Sequence, residues 1–267
     1  MRTSVKGIGP FEDVAFDLAQ LTVFVGVSGS GKGLLARTVK ALYSAKTPEE
    51  AFMTIYDHLE PPKEGYAELD GRVLSSTRLS GEPFGRAIYL SERRFVIPLH
   101  FVIRKYAEKV KEELEAEEFE RPLNVLAEMV ETTVGDEYKK LLLLSLRPTD
   151  YEASELMDKL NTKAIEMVEE MFGDWNCTGA LSAYLIFAAL EGDYDLVAID
   201  EPEAHLNPGR AVRVVREIVR KAKDKKVVAT AELAHAVRAF QKFSEEEGVN
   251  AKIYTVADGR VSLIWEN

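Results

Sequence analysis

A stretch rich in glycine and serine is the clearest candidate for a chemical site in this sequence. Residues 26–32 read GVSGSGK and fit the spacing GxxxxGK. Glycines at this spacing let consecutive backbone N–H groups curl around a phosphate, and the lysine ammonium then reaches the β and γ phosphates of a nucleotide. We therefore expect ATP as the ligand. The predicted contacts are Gly26, Val27, Ser28, Gly29, Ser30, Gly31, Lys32, Gly33 and Leu34.

The residue after the lysine departs from the usual pattern. Ser or Thr normally stands there, and its hydroxyl binds Mg²⁺, but this chain has Gly33. Two interpretations stay open at this point. Water fills the ligand position, since Mg²⁺ commonly keeps several waters, or metal binding is weakened and turnover is slow.

Two acids follow an apolar run later in the chain. Residues 196–199 read LVAI and are followed by Asp200 and Glu201. A carboxylate at the end of a buried strand can hold Mg²⁺ through water, and its neighbour can polarise the water that attacks the γ-phosphate. We assign Asp200 to the metal, and Glu201 together with Lys32 to catalysis.

The segment that contains these acids resembles a known family. Residues 200–208 read DEPEAHLNP, similar to the DEPExHLHP segment of ABC-type P-loop ATPases in the OLD, RecF and SMC-like group of AAA family ATPases. Transporter subunits usually read DEPTSALD there, so the resemblance favours the branch that does not transport. It implies an ABC ATPase head, ATP hydrolase activity and the cofactors ATP and Mg²⁺.

A second segment bears on how two chains would meet. Residues 177–182 read CTGALS, similar to the family's signature segment, often SSG followed by an apolar helix. The resemblance implies that the Thr178 hydroxyl and the Gly179 N–H face the γ-phosphate bound by a second protomer, in an ATP-dependent homodimer. The residues alone also fit an ordinary helix cap.

Two more segments resemble the family with altered residues. Residues 89–93 read YLSER, similar to a YLPSER stretch that links the nucleotide to a helical lobe, but no Gln stands there. Residues 227–232 read VVATAE, similar to the last core strand, which Thr-His-Ser normally follows, and Ala231 stands where His is expected. Together with Gly33, these departures predict slow hydrolysis.

The elements around these residues predict an α/β fold. Apolar runs at residues 21–25, 195–199 and 227–230 indicate buried strands, and helical spacing follows at 34–43, 181–190 and 209–222. Alternating strands and helices imply a mostly parallel central sheet. An antiparallel β part is expected near the N-terminus, with hairpins around Asp70-Gly71 and residues 257–259.

The middle of the chain has a different pattern. From about residue 101 to 171, helical spacing predominates, with ten Lys or Arg against eighteen Asp or Glu. We predict an inserted acidic helical lobe at 101–171, and a nucleotide-binding core formed by 1–100 and 172–267. The lobe is a candidate surface for a protein partner, and its charge would repel nucleic acid.

Composition narrows the function further. The 267 residues carry a net charge of -11 and one cysteine, with no apolar run long enough to span a membrane, so we expect a cytoplasmic protein without membrane contact. Four arginines at residues 210, 213, 216 and 220 form either a local patch for nucleic acid or an acidic partner, or a solvated helix face.

Three functions remain open on the sequence. The first is an ATPase that dimerises around ATP and couples slow hydrolysis to a conformational or association cycle. The second is a nucleotide-responsive binding module that does not hydrolyse, for which Gly33 and Ala231 argue. The third is an ATPase of DNA repair, chromosome maintenance or defence that acts on nucleic acid.

Overall fold

A computed structural model describes residues 1–56, 65–92, 94, 156, 161–173 and 178–267. The strands within these ranges are β1 Arg2–Ile8, β2 Phe11–Asp17, β3 Leu21–Val25, β4 Tyr66–Leu69, β5 Arg72–Ser75, β6 Arg78–Ser80, β7 Ala87–Leu90, β8 Leu196–Ile199, β9 Lys226–Ala231, β10 Ala251–Ala257 and β11 Arg260–Glu266. The helices are α1 Lys32–Ser44, α2 Pro48–Tyr56, α3 Thr162–Phe172, α4 Thr178–Glu191, α5 Pro208–Lys221 and α6 Ala234–Glu247.

Six strands form the central sheet in the order β11-β10-β3-β9-β8-β7. All neighbours are parallel except the β10–β11 hairpin. Side chains alternate between the two faces of a strand, and the central strands are apolar on both. On β3, Val23 packs under α4, α5 and α6, whereas Phe24 packs towards α1. Burial on both faces is typical of a parallel sheet covered by helices, as the sequence predicted.

A second sheet of five antiparallel strands has the order β2-β1-β4-β5-β6. The turn between β4 and β5 is formed by Asp70 and Gly71, both with positive φ, and an Asp258–Gly259 turn closes the β10–β11 hairpin in the same way. Aspartate and glycine tolerate this backbone region. The predicted antiparallel part and both predicted hairpins are therefore confirmed.

Helix α1, which follows the glycine-rich loop, lies between the two sheets. Its Leu35, Val39 and Leu42 belong to one apolar core together with Val5 of β1 and Val228 of β9. The opposite face of the central sheet packs against α3, α4, α5 and α6 in a second core. Because α1 contacts both sheets, its first turn is held rigidly beside the ends of the central strands.

Local sequence explains where several helices begin. Asn207 caps α5 by accepting a hydrogen bond from the Arg210 N–H, and Pro208 occupies the first helical turn. Asn161 caps α3 in the same way, and that helix ends at Gly173, whose φ is 78°.

Several elements were not predicted. They are β1, β6, α2 and α6. Helix α1 ends at Ser44, as expected from the helical spacing at 34–43, and Pro48 then begins α2, with Glu49 and Glu50 in its first turn. Proline is favoured at that position and acids suit a helix N-terminus.

The predicted helical lobe lies mostly outside the described residues. Of the range 101–171, the structure describes residue 156 and residues 161–171. Helix α3, which includes the end of that range, crosses the predicted boundary at 171–172 and packs against α4 in the second core. No helix in the described part of the chain is both long and apolar enough to cross a membrane.

Candidate functional site

The glycine-rich loop connects β3 to α1, as its spacing required. The Gly26 N–H donates to the Ala231 carbonyl oxygen at 3.3 Å, which ties the start of the loop to the end of β9. Gly31 is the residue before α1 and has a φ of 98°, and a Cβ there would lie 2.7 Å from the Phe11 ring. Glycine is thus required by both backbone conformation and space. No side chain caps the helix at Gly31, an arrangement in which the first N–H groups of a helix can bind an anion.

The other loop residues differ in exposure. Val27 is 71% exposed, Ser28 and Gly29 are also exposed, and Ser30 is half-buried. Leu34 is half-buried against Gly9 of the β1–β2 turn and the core around α1. The loop is therefore open to solvent at its tip and packed at its base.

Lys32 occupies the first position of α1 and is buried. Its Nζ lies 3.0 Å from Glu201 Oε1 and 3.7 Å from Glu232 Oε2. It also donates to the Val27 carbonyl oxygen at 3.4 Å. The ammonium is thus held between the loop and two carboxylates that follow β8 and β9.

Asp200 follows β8 and is almost fully buried. Tyr89 Oη donates to its Oδ2 at 2.9 Å, and Thr230 Oγ1 donates to its Oδ1. Burial raises the pKa of Asp200, while these two hydrogen bonds and the Lys32 charge act in the opposite direction. Burial also raises the pKa of Tyr89 well above its usual value, so the phenol stays a donor.

Glu201 has a left-handed backbone with a φ of 46°, which is uncommon for this residue type. Its N–H donates to Thr230 Oγ1 at 2.9 Å, and the Arg94 guanidinium donates to the carbonyl oxygens of Asp200 and Glu201 at 2.7 and 3.1 Å. Arg94 is fully buried, and burial lowers its pKa to about 10. These bonds hold the backbone that presents both acids.

Glu203 connects the same segment to the start of α6. Its Oε1 accepts hydrogen bonds from the N–H groups of Glu232 and Leu233 at 2.8 and 3.3 Å. Leu233 precedes α6 and supplies no side-chain cap of its own. A distant carboxylate therefore caps this helix, and burial raises the pKa of Glu203.

Gly33 lies against Asp200. A Cβ built at Gly33 would be 2.7 Å from Asp200 Oδ2 and 3.3 Å from Oδ1. The carboxylate therefore takes the space that a side chain at position 33 would need. Four residues were predicted to bind phosphate, bind metal or activate water. They are Lys32, Gly33, Asp200 and Glu201, and they lie together beyond the carboxyl ends of the central strands.

Thr178 and Gly179 lie elsewhere in the chain. Thr178 begins α4, and a Cβ at the buried Gly179 would meet Leu206, the His205 carbonyl oxygen and Phe172. Gly179 thus packs on the segment after Glu203, not on the glycine-rich loop of its own chain. Their predicted role towards a second protomer stays a prediction.

At the end of β9, the residue that reaches the site is Glu232 and not residue 231. Ala231 is fully buried and belongs to the core under α5 and α6, with Val227 and Ala229 on the same face of the strand. The next residue, Glu232, is the one whose side chain reaches Lys32. This strand therefore brings a carboxylate to the site.

Four residues of the site were missed from the sequence: Tyr89, Arg94, Thr230 and Glu232. Tyr89 and Thr230 are polar residues near the carboxyl ends of apolar strands, and ligand sites of parallel sheets form at that edge. These two residues could therefore have been proposed from the sequence as candidates for the site. Arg94 and Glu232 act through long-range contacts that no local pattern indicates.

The four arginines of α5 contact side chains or backbone of the same chain. Arg210 lies over the Phe172 ring at 4.8 Å and Arg216 over the Phe243 ring at 5.3 Å. Arg220 pairs with Glu217 at 2.9 Å and Glu247 at 3.3 Å. Arg213 donates to the Met171 carbonyl oxygen at 3.5 Å. The run contacts α3 and α6 while Arg213, Arg216 and Arg220 stay exposed, which agrees with the expected solvated helix face.

The side chains of this site can be compared with the ligands that Mg²⁺ and a nucleotide require. In the described part of the chain, no group of three or more His, Cys, Asp or Glu side chains is placed to hold a metal ion. Mg²⁺ needs few protein ligands when a nucleotide's phosphates supply others. Asp200, in contact with Gly33 beside the first turn of α1, fits that role.

No protein-family model matches the chain, and no curated protein matches it. Solved structures with a similar fold include the Smc head domain of Pyrococcus furiosus bound to the C-terminal domain of ScpA, with 13% identity, a TM-score of 0.48, and coverage of 98% of this chain and 95% of that chain. The SMC head domain from Thermotoga maritima has 13% identity and a TM-score of 0.48, with 99% and 97% covered. A dimeric ATP-binding cassette bound to ADP and Pi has 14% identity and a TM-score of 0.48, with 100% and 98% covered.

These matching structures are ABC ATPase cassettes and SMC head domains. The elements of this chain form an α/β fold, with a glycine-rich loop between the third strand and the first helix. At such identities and TM-scores the likeness assigns no activity, which has to be inferred from the residues of the site.

Proposed function

We propose that the chain binds ATP with Mg²⁺ at residues 26–33 and hydrolyses it slowly, as an ABC-class ATPase that dimerises around the nucleotide. One observation carries this proposal. The Lys32 ammonium, in the first turn of α1, lies 3.0 Å from Glu201 Oε1, so the phosphate-binding cation and a carboxylate able to polarise water share one site.

Phosphate binding would begin with an exchange of partners at Lys32. The oxygens of a nucleotide carry more charge than a single carboxylate, and the N–H groups of the loop add to their attraction. They would draw the ammonium away from Glu201 and Glu232. Glu201, with its backbone fixed by Thr230 and Arg94, would then have its carboxylate available to accept a proton from water.

Asp200 would hold the metal from the opposite side. Bound Mg²⁺ would neutralise charge that develops on the phosphates. The Asp200 carboxylate is kept in one orientation by two hydroxyl donors, so little reorganisation would accompany binding.

Slow turnover follows from what surrounds the phosphates. Position 33 offers no hydroxyl, Ala231 faces the core, and Glu232 places a negative charge where the family has a histidine nearby. Each change removes or opposes a donor to the transition state. The same observations favour a second candidate, a module that binds ATP and changes its associations without hydrolysis.

Association of two chains is the further part of this proposal. Gly179 and the start of α4 pack beside His205 and Leu206, so the segment expected to face a second protomer lies next to the segment that carries Asp200 and Glu201. The acidic segment at 101–171 remains a predicted partner surface. Engagement of the α5 arginines within the chain leaves nucleic-acid binding without support from the described residues.

The test combines nucleotide affinity, phosphate release and the molar mass of the protein in solution, which separates monomer from dimer. Affinity for fluorescent ATP is measured with and without Mg²⁺ for the natural chain, Lys32→Ala and Lys46→Ala, the last an exposed lysine on the same part of the chain. We expect Lys32→Ala to lose at least about a hundredfold in affinity and Lys46→Ala to match the natural chain. Equal affinity in all three would contradict the phosphate site.

Light scattering with and without ATP then separates the two candidates. A dimer that forms with ATP and returns to monomer as phosphate is released supports the ATPase cycle. A dimer that persists without phosphate release supports the binding module. A chain that binds ATP and stays monomeric excludes the association step.

A further inference from the structure

The space beside Gly33 is filled by a carboxylate. Because a Cβ at this position would lie 2.7 Å from Asp200 Oδ2, a serine there would displace Asp200 from its present position. Glycine at position 33 therefore does more than omit a hydroxyl. It lets the carboxylate after β8 approach the first turn of α1 directly.

Both oxygens of that carboxylate are already held by hydroxyl groups from neighbouring strands. Tyr89, near the end of β7, donates to Oδ2 at 2.9 Å, and Thr230, near the end of β9, donates to Oδ1. The two donors are fully buried. Since β7 and β9 flank β8 in the sheet, the donors approach Asp200 from opposite sides.

The oxygen bound by Tyr89 is the one nearest to position 33. A serine hydroxyl at position 33 and the Tyr89 phenol would thus compete for the same side of Asp200. One buried donor on that oxygen suffices to fix the carboxylate, and in this chain it comes from β7 instead of α1.

We propose that the Tyr89 hydroxyl replaces the missing hydroxyl of position 33 in orienting Asp200 towards the metal, with Thr230 holding the opposite oxygen. Both are positioning residues, and the inference rests on the proposed binding of ATP with Mg²⁺. It also implies that Gly33 and Tyr89 form a matched pair, so a change at one alters the effect of a change at the other.

The measurement is the gain in ATP affinity that Mg²⁺ gives, obtained from titrations of fluorescent ATP in Mg²⁺ and in EDTA. Removing a partner that orients a metal ligand typically lowers metal affinity by about 10- to 100-fold. We expect Tyr89→Phe and Thr230→Val to reduce the Mg²⁺-dependent gain by about that factor, with little effect on affinity in EDTA. Thr230→Ser should restore most of the gain because it keeps the hydroxyl.

Tyr254→Phe is the matched control. Tyr254 is also buried, and its phenol donates to the Asp17 carbonyl oxygen at 3.0 Å and accepts from the Asp17 N–H at 3.1 Å, so the control loses the hydrogen bonds of a buried tyrosine hydroxyl away from Asp200. Thermal unfolding of both tyrosine variants shows that they are folded. Equal Mg²⁺-dependent gain in Tyr89→Phe and Tyr254→Phe overturns the inference.

The pairing is tested by the double variant. Gly33→Ser alone should lose Mg²⁺-dependent affinity because its Cβ displaces Asp200. In the Tyr89→Phe background, Oδ2 is no longer held in place by the phenol, so the carboxylate can turn away from the added Cβ and accept from the serine hydroxyl, and the double variant should bind at least as well as Tyr89→Phe alone. If the losses of Mg²⁺-dependent affinity in the two single variants simply add in the double variant, the proposed pairing of Gly33 with Tyr89 is refuted. A natural chain that binds no ATP in either solution refutes the proposed function itself, whereas a chain that binds ATP with an unchanged gain in Tyr89→Phe refutes the role of Tyr89.

Discussion

Lys32 Nζ and Glu201 Oε1 are 3.0 Å apart, with the lysine side chain almost fully buried and the glutamate side chain one-quarter exposed. A cation removed from water to this extent needs an opposite charge. The glutamate supplies it. In the proposed function, phosphate binding and water activation would therefore be linked, because the same contact has to break before either can proceed.

Glu201→Gln should slow hydrolysis while keeping ATP bound. The amide retains the shape of the side chain but cannot accept a proton, and general-base assistance contributes about 10²- to 10⁴-fold. Single-turnover phosphate release should fall by that factor, and ATP affinity should stay equal or rise because a negative charge near the phosphates is gone. A variant that hydrolyses at the natural rate would show that Glu201 is not the base.

Glu232→Gln should tighten ATP binding. Its carboxylate lies 3.7 Å from Lys32 Nζ and is more than one-third exposed, so it competes with phosphate for the ammonium but is screened by solvent. We expect an increase of a few-fold in affinity, larger at low salt. Glu245→Gln, an exposed acid on α6, should leave affinity unchanged, and a weaker ATP complex in Glu232→Gln would show that the carboxylate helps binding.

Glu203 should make stability depend on pH. Its pKa is raised above the usual 4.5, mainly by burial, so its contribution to stability is fully present below the usual pKa and is lost as pH rises through the raised pKa. Glu203→Gln abolishes that titration, and its amide oxygen can still accept from the N–H groups before α6. The melting temperature of the variant relative to the natural chain should therefore rise as pH increases above about 4.5. A difference that is constant with pH would contradict the assigned shift.

Arg72 should contribute strongly to stability. Its guanidinium is buried and donates to the Leu42 carbonyl oxygen at 2.6 Å and to that of Ala45, at the end of α1. Arg72→Met keeps an apolar stem but leaves these carbonyls without their donor, a loss of about 3 kcal/mol. Urea unfolding gives the value, with Arg78→Met on the exposed part of β6 as the control. Equal unfolding free energies would show that water satisfies these carbonyls.

The positions of Lys32, Asp200 and Glu201 at the ends of their elements could be predicted because each depends on residue type and local spacing. The glycine-rich loop is one continuous segment, and the acids follow directly after an apolar strand. Tyr89 and Thr230 could be recognised as polar residues near strand ends, but their partner could not. They meet Asp200 only because β7, β8 and β9 are adjacent, and the adjacency of strands is not a local property of the sequence.

Position 231 shows a second reason why the site could not be fully predicted from the sequence. The comparison with the family aligned Ala231 with a histidine, but alternation along β9 turns residue 231 to the core with Val227 and Ala229. Glu232 therefore reaches the site. In contrast, α6 could have been predicted, because its buried residues Ala236, Ala239, Phe240 and Phe243 follow helical spacing.

The position of β3 has a consequence for how the protein is made. This strand leads into the phosphate loop, and its two neighbours, β9 and β10, come from the far part of the sequence: Leu21 pairs with both Val227 and Ala251. During synthesis, the loop emerges from the ribosome early but lacks both flanking strands until residues 226–257 have followed. Closing such distant pairs is slow. The nascent chain should therefore acquire the proposed nucleotide affinity late, in a single step with the completion of the central sheet, and until then β3 stays an unpaired apolar strand.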